Sequence, residues 1–422
     1  MKTKKFNVLH LILMGTGLII VGIVILNTGI LALQAFTYLL GIVFIVLGLS
    51  QFIKIAINKL NGTKADASSR RGFINLVIGA LTLTYPGIPI TLFGLLTAIY
   101  FLLMASMYWV AAYTKKKNKV KHRLNDIILC IFFSAFGFFM LFSQNIGLPT
   151  IMNAVSIYFI LYGTTYYKDA LKYLIPEQHK NKLKRKIRFA MPVFASSMIP
   201  RLVLQEVNNA LLTNTDNKPG TLEYISTKTE NQPDIEVLIH VTSKGAGIMG
   251  HVDLIMDGIA MSYGNYDSSS ARMGELIGDG VLFFTRAESY IPFVIKDSGK
   301  TLFAFGLKLD PEQKQAVKER IDEIREQLYC WTPPKYSDDD PPYAARLEHA
   351  VKTNFYKFNK GAFKTYFVGG TNCVKLADSV IGRTGIDVLN FNGIITPGAY
   401  YDYLDNEFAR PNSFVVSKKI YN

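Results

Sequence analysis

Six stretches of almost unbroken apolar sequence crowd the first part of this chain, at roughly 7–26, 30–56, 73–85, 88–112, 125–143 and 148–167. A helix needs ~20 apolar residues to cross the ~30 Å hydrocarbon core of a bilayer. Most of these runs approach that length, so six transmembrane helices are expected. The third run is short and ends in Tyr85-Pro86-Gly87. The lysine-rich start, Met1 to Lys5, resembles a signal peptide. The apolar run behind it is long, lacks a small-residue cleavage site and precedes further spans, so it reads as a retained first helix.

Charge divides the 422 residues into two halves. Residues 1–213 hold 23 Lys+Arg and 5 Asp+Glu, a net of +18; residues 214–422 hold 23 and 27, a net of −4; together they give the formal +14. The excess therefore belongs to the membrane half and orients helices rather than forming a nucleic-acid surface. The turns at Asn27-Thr28-Gly29, Pro86-Gly87 and Gln144-Asn145 carry no Lys or Arg. They alternate with basic loops at Lys59–Arg71, Lys115–Arg123 and Lys168–Arg188. By the positive-inside rule the N-terminus, the basic loops and everything after the sixth helix face the cytoplasm.

The helices also repeat in pairs. The odd runs carry Gly22, Gly79 and Gly137, separated by 57 and 58 residues. The even runs carry Gly48, Ala105 and Gly163, at the same separations. Two independent sets with one offset imply three hairpins of about 57 residues. Small residues let helices approach closely in lipid, where packing drives association. This half, about residues 8–175, resembles the HdeD-like acid-resistance membrane proteins, a six-helix, three-hairpin family. His10 and Asp126 lie near span ends, and no ionisable residue lies deep in a span. That pattern argues against a pump or coupled transporter and for an anchor; a small-molecule channel is a weaker alternative.

Domain 1–175 is thus the membrane domain. Residues 176–213 form a basic connector: HKNKLKRKIR at 179–188, then an apolar segment interrupted by Pro192, Pro200, Arg201 and Glu206. It suits an interfacial position on anionic headgroups. Residues 214–422 have the composition of an α+β domain. Strands are expected at 235–241, 251–256 and 259–263, with Asp257-Gly258 as a hairpin turn. Ser243–Gly247 reads as another turn, and further strands are expected at 281–284, 290–295 and 301–307. Asp310-Pro311-Glu312-Gln313 predicts a capped helix start. The apolar stripe Val317, Ile321, Ile324 and Leu328 continues that helix. Trp331–Pro342 reads as a loop.

Cys130, Cys330 and Cys373 are too dispersed for a disulfide framework or a zinc site. Cys373 follows Gly369-Gly370-Thr371-Asn372 and opens a helix whose apolar face is Leu376, Ala377, Val380 and Ile381. A helix N-terminus favours the thiolate, and Asn372 can cap it. No phosphate loop, dinucleotide fingerprint or metal-ligand spacing appears, so no cofactor and no metal are expected. His240 reads as a structural histidine within a strand. His349 has no evident partner, and Thr396–Tyr403 reads as C-terminal packing.

The ordered set Gly250-His251, Tyr263-Gly264-Asn265-Tyr266-Asp267, the helix from Asp310, and Asn372-Cys373 resembles the circularly permuted papain-like superfamily. It is closest to the branch of lipoprotein N-acyltransferase-like proteins, over roughly 235–385. That resemblance implies Cys373 as nucleophile and His251 as general base. Asn265 would be the third polar residue, with Tyr263 and Asp267 as rivals. The oxyanion would be held by the Cys373 N–H and the Asn372 side chain. The second histidine of related acyltransferases is missing. The expected protein is a bacterial inner-membrane thiol hydrolase or acyltransferase, bound to membrane lipid. Its substrate is a lipid, a lipid-modified chain or a peptide. The alternative is a non-catalytic membrane protein whose papain-like domain binds a partner. Oligomeric state is left open.

Overall fold

A computed structural model describes residues 8–61, 68–121, 123–174, 222–228, 232–241, 250–337, 339–384, 396–410 and 413–422. The connector at 176–213 and the turn at 243–247 lie outside the described residues. The chain divides into two units: residues 10–109 with 124–169, and residues 1–9, 110–123 and 170–422.

Six helices occupy the apolar region: α1 (Val8–Thr28), α2 (Ile30–Leu60), α3 (Ser69–Thr84), α4 (Gly87–Lys117), α5 (Leu124–Phe142) and α6 (Gln144–Leu174). Four of them, α1, α2, α4 and α5, are long and apolar enough to cross a membrane. The α3 helix has 16 residues, and α6 mixes Asn153, Ser156, Thr164 and Thr165 into its apolar run. Burial is inverted relative to a water-soluble bundle. Leu13, Val24, Phe36 and Leu47 face outward, while Gly15, Gly22, Gly41 and Gly48 are buried. Lipid solvates leucine as well as another helix does, so the close contacts fall to residues without bulk.

Those contacts reproduce the repeat. A Cβ added at Gly22 of α1 would stand 2.8 Å from the Ser156 carbonyl of α6. One at Gly79 of α3 would stand 2.9 Å from the Gly41 carbonyl of α2, and one at Gly137 of α5 3.3 Å from the Ala98 carbonyl of α4. The acceptors Gly41, Ala98 and Ser156 are themselves 57 and 58 residues apart. The reverse contact recurs too: a Cβ added at Gly48 would stand 2.9 Å from the Gly72 carbonyl, and one at Gly163 2.8 Å from the Gly15 carbonyl. The 57-residue period is therefore a contact made three times, joining α2 to α3, α4 to α5 and α6 to α1. Ser156 Oγ adds a hydrogen bond to the Gly22 carbonyl at 2.6 Å.

The second unit is built on a nine-stranded sheet. Its strands are β1 (Leu222–Thr227), β2 (Ile235–Val241), β3 (His251–Met256), β4 (Ile259–Gly264), β6 (Val281–Arg286), β7 (Thr301–Leu307), β8 (Leu328–Trp331), β9 (Asn354–Phe358) and β11 (Val415–Tyr421). Their order is β1-β11-β7-β2-β3-β4-β6-β9-β8, and every neighbouring pair is antiparallel. A separate two-stranded ribbon pairs β5 (Ile277–Asp279) with β10 (Thr365–Phe367). Asp257 and Gly258 both take positive φ, 50° and 76°, the conformation a two-residue turn between right-twisted strands requires.

Both sheet faces are covered. Ile235, Val237, Ile239 and Val241 of β2 meet α8 (Pro311–Arg325), α10 (Cys373–Ile381) and α11 (Pro397–Ala409). Leu238, one step out of phase, meets α7 (Ala287–Ser298) and α9 (Tyr343–Val351). The Asp310–Gln313 capping box is formed, with Pro311 in the first turn.

The segment 290–295, expected as a strand, lies inside α7. Its buried residues Ala287, Tyr290, Ile291, Val294 and Ile295 follow helical spacing, which the short apolar run disguised. Leu328 belongs to β8 rather than to the α8 stripe, and Trp331 closes that strand. The α9 helix had no sequence counterpart. At nine residues with Pro342 before it, it is too short to show a clear period.

Replacing Gly22 with Leu should block the approach of α6 and cost about 1–3 kcal/mol or more by overpacking. Replacing Gly17, which has nothing within 4 Å, should cost far less. Thermal unfolding of both variants in detergent checks this, and equal losses would refute the packing account.

Candidate functional site

Three neighbouring strands and one helix start bring the polar residues together. Gly250 precedes β3 with φ of 82°, and a Cβ there would meet Pro397 at 2.9 Å and the His240 carbonyl at 3.1 Å. The chain thus enters β3 where only glycine fits easily. Residues two apart on a strand share a face, so His251 and Asp253 project together. In the β2–β3 register His251 lies opposite His240.

Asp253 is buried and central. Its Oδ1 lies 2.8 Å from His251 Nε2 and its Oδ2 lies 2.7 Å from His240 Nε2. The Tyr290 hydroxyl of α7 donates to Oδ2 at 2.8 Å. On the same edge of the His251 ring, Ser262 Oγ lies at 3.0 Å and the Tyr266 hydroxyl at 3.2 Å; these two hydroxyls are 2.7 Å apart.

Cys373 begins α10, and Asn372 caps it, its Oδ1 accepting the Lys375 N–H at 2.9 Å. The buried thiol lies within the electrostatic reach of the His251 side chain and the Val252 N–H, which draw its pKa down, and Tyr366 of β10 feels its charge. With Nε2 committed to Asp253, Ser262 and Tyr266, the Nδ1 edge of the ring is the one left for sulfur.

Burial pushes the Cys373 thiol up. The charge and hydrogen bond of His251, with the Val252 N–H, outweigh it and hold the group below its ordinary range. Burial opposes the charged form of His251, but the charges of Cys373 and Asp253 prevail and raise it to about 10. For His240, burial wins over Asp253 and lowers it to about 4. Burial would raise Asp253, yet the two histidines hold it well below the carboxylate range. The arrangement therefore favours a thiolate beside an imidazolium and a carboxylate, with a second imidazole that stays neutral at neutral pH. Such a thiolate is a nucleophile, and its imidazolium is a ready proton donor.

The structure brings Cys373, Asn372 and His251 together and places the other named residues elsewhere. Asn265 Nδ2 donates to the Glu275 carbonyl at 3.1 Å and the Ile277 carbonyl at 3.5 Å, bracing the turn before β5 rather than the imidazole. The Tyr263 hydroxyl donates to the Phe363 carbonyl at 3.0 Å, with its ring packed edge-on against Phe358 and Phe363. Asp267 caps a short 3-10 turn through Ser269 N–H and accepts from Lys357 Nζ at 2.6 Å. Asn372 Nδ2 donates one hydrogen to the Val368 carbonyl at 2.8 Å, so its role in this geometry is chiefly the cap. His349 stacks on Tyr336 with centroids 4.4 Å apart. The carboxylate that sequence reasoning missed is Asp253. Its signal was the i, i+2 spacing from His251 within a strand already recognised.

Residues 13–65 and 71–142 match a family described as a short repeat of unknown function, DUF308. The apolar half is similar to a membrane-type repeat. No curated protein and no solved structure matches the chain.

The pH sense of the site follows from the directions above. His251, raised, stabilises the fold fully below an unfolded pKa of about 6.5 and loses that contribution as pH rises through its folded value. Asp253, depressed, contributes above about pH 4 and loses its contribution as pH falls through its folded value. Alkylation of Cys373 should stay fast below its unperturbed pKa of about 8.5. In His251→Ala burial is opposed only by the Val252 N–H, and the acid limb should move up towards or above that value. Rates against pH, read by peptide mass spectrometry with Cys330 as the exposed reference, check this.

Proposed function

We propose that the chain is a membrane-anchored thiol hydrolase or acyltransferase. All six N-terminal helices would serve as spans in a bacterial inner membrane, and the sheet domain would be a permuted papain-like fold on the cytoplasmic side. One observation carries the enzymatic reading: a histidine 2.8 Å from a buried carboxylate lies within electrostatic reach of a buried cysteine at a capped helix start. Nucleophile, base and orienting group in that order form the arrangement that covalent acyl transfer needs.

In this reading the Cys373 thiolate attacks an ester or amide carbonyl carbon. The carbonyl π pair moves to oxygen, where the Cys373 N–H receives it. That amide stands in the first turn of α10, and the first four N–H groups of a helix lack intrahelical acceptors. His251, protonated, gives its proton to the departing alcohol or amine as the C–O or C–N bond breaks. A thioester remains. Water or an acceptor amine then yields a proton to His251, attacks the thioester carbonyl and releases the thiolate. Asp253 holds the ring in place and favours its charged form throughout. Asp253 takes the part first sought in Asn265. The apolar helices support a lipid or lipid-modified substrate, because they would keep the domain near a bilayer.

The test is acyl trapping. The full chain in detergent is mixed with an activated long-chain ester, and the acyl mass is sought on the Cys373 peptide. A hydroxylamine-labile adduct is expected in wild type. His251→Ala should form it about 10²–10⁴ times more slowly, the range for loss of a general acid–base group, and Cys373→Ser should form no thioester. A folded wild-type protein that never acylates would instead favour a non-catalytic domain that binds a partner.

A further inference from the structure

A lysine on the same sheet face as this site has no ion-pair partner among the described residues. The α7 helix ends at Gly299, whose left-handed conformation (φ 55°) turns the chain into β7. Lys300 immediately precedes that strand. In the β2–β7 register Leu302 lies opposite His240 and Thr301 opposite Val241, while His240 lies opposite His251. Directly opposed residues share a face, as do residues two apart. Backbone register therefore sets Lys300, His240 and His251 on one face at one end of the sheet, with Lys300 two strand spacings, about 10 Å, from the His251 strand.

The carboxylates near Lys300 are already occupied. Asp253 is taken by two histidines and Tyr290. Asp297 is gripped by both nitrogens of an Arg346 fork, at 2.7 and 3.1 Å. Partly buried Lys300 makes no hydrogen bond or ion pair among the described residues. Two buried lysines among the described residues are treated differently: Lys357 sits on Asp267 and Asp279, and Lys418 on Asp405. Burial pulls the Lys300 ammonium below its ordinary range, and the groups whose charge it feels are Asp253, Asp297 and Cys373. A partly buried ammonium on the sheet face of His240 and His251, with both of these carboxylates committed elsewhere among the described residues, fits an anion that arrives with the ligand.

We propose that Lys300 is a specificity residue of the Cys373 site, and that the acyl substrate carries an acid group, phosphate or carboxylate, close to the carbonyl attacked. This rests on the thiol chemistry proposed above, and the experiment separates the two. Iodoacetate and iodoacetamide present the same reactive carbon to Cys373 with and without an adjacent carboxylate. Their rates are measured on the full chain in detergent at low salt, in wild type, Lys300→Gln and Lys300→Arg. Removing one charge at that distance should slow iodoacetate about three- to tenfold. The iodoacetamide rate and its acid limb should not change, and Lys300→Arg should behave as wild type. High salt should shrink the difference. Equal slowing of both reagents, or a moved acid limb, would make Lys300 a distant counter-charge of Asp253 and overturn the proposal. An unchanged iodoacetate rate would overturn it too, while leaving the thiolate intact. If iodoacetamide is slow in wild type and indifferent to His251→Ala, the thiol reading falls and takes this inference with it.

Discussion

Burying a carboxylate without partners costs several kcal/mol, and the centre of the sheet domain is arranged around one such group. Asp253 stands in β3 between His240 of β2 and His251 of its own strand, while the Ser262–Tyr266 pair on the β4 side contacts the His251 ring. Tyr290 completes the set from α7, so the helix is tied to the sheet at the point where the charge is. Removing His251 takes away the close partner of Oδ1, whereas Oδ2 faces both His240 and Tyr290. The register of β2 against β3 is fixed by polar necessity as well as by the alternation of Ile235, Val237 and Ile239 into the opposite core. A one-residue slip would turn His240 into that apolar layer and strip the carboxylate of a partner.

The two units solve packing by opposite rules. In the sheet domain large side chains fill the interior, with Phe303, Phe305, Tyr400 and Leu404 almost wholly buried. In the helical unit large side chains point outward, and glycine carries the close contacts. That difference explains why the helical half was easy to read. A glycine demanded by a backbone approach leaves its mark at a fixed sequence position, and three copies of the approach leave the 57- and 58-residue offsets in both helix sets. The six helices are present, yet α3 and α6 lack the length or the apolar continuity of the others.

Local signals were also legible in the sheet domain. The Asp257-Gly258 turn, the Asp310 capping box and the Asn372 cap each depend on neighbours within a few residues. What escaped depended on tertiary structure. The run Tyr290–Ile295 is short and apolar, and only its placement against β4, β6 and β7 makes it a helix. Asn265 was attractive because it follows the histidine at a suitable interval, but interval is not position. The β4 strand ends at Gly264, and Asn265 turns towards the β5 ribbon. The strand period alone placed Asp253 beside His251, and that rule needed no neighbour beyond the strand itself.

The two histidines show how far context decides chemistry. His240 and His251 are opposite each other in the same sheet, the first buried and the second half-buried, and both lie within 2.8 Å of the same carboxylate. One is pushed down to about 4 and the other up to about 10. Their shared carboxylate cannot account for that split. The difference is Cys373, which gives His251 a second negative neighbour and leaves His240 with desolvation uncompensated. A neutral His240 is then useful where a charged one would not be. In the tautomer carrying Nε2–H it satisfies the second carboxylate oxygen without drawing the negative charge away from His251. Charging it would set a second cation 5.2 Å, ring centre to ring centre, from the first and weaken the hold of Asp253 on the imidazolium. The thiolate therefore depends on two imidazoles in opposite protonation states. The asymmetry that raises one of them and lowers the other is supplied by the start of α10, a helix more than a hundred residues further along the chain.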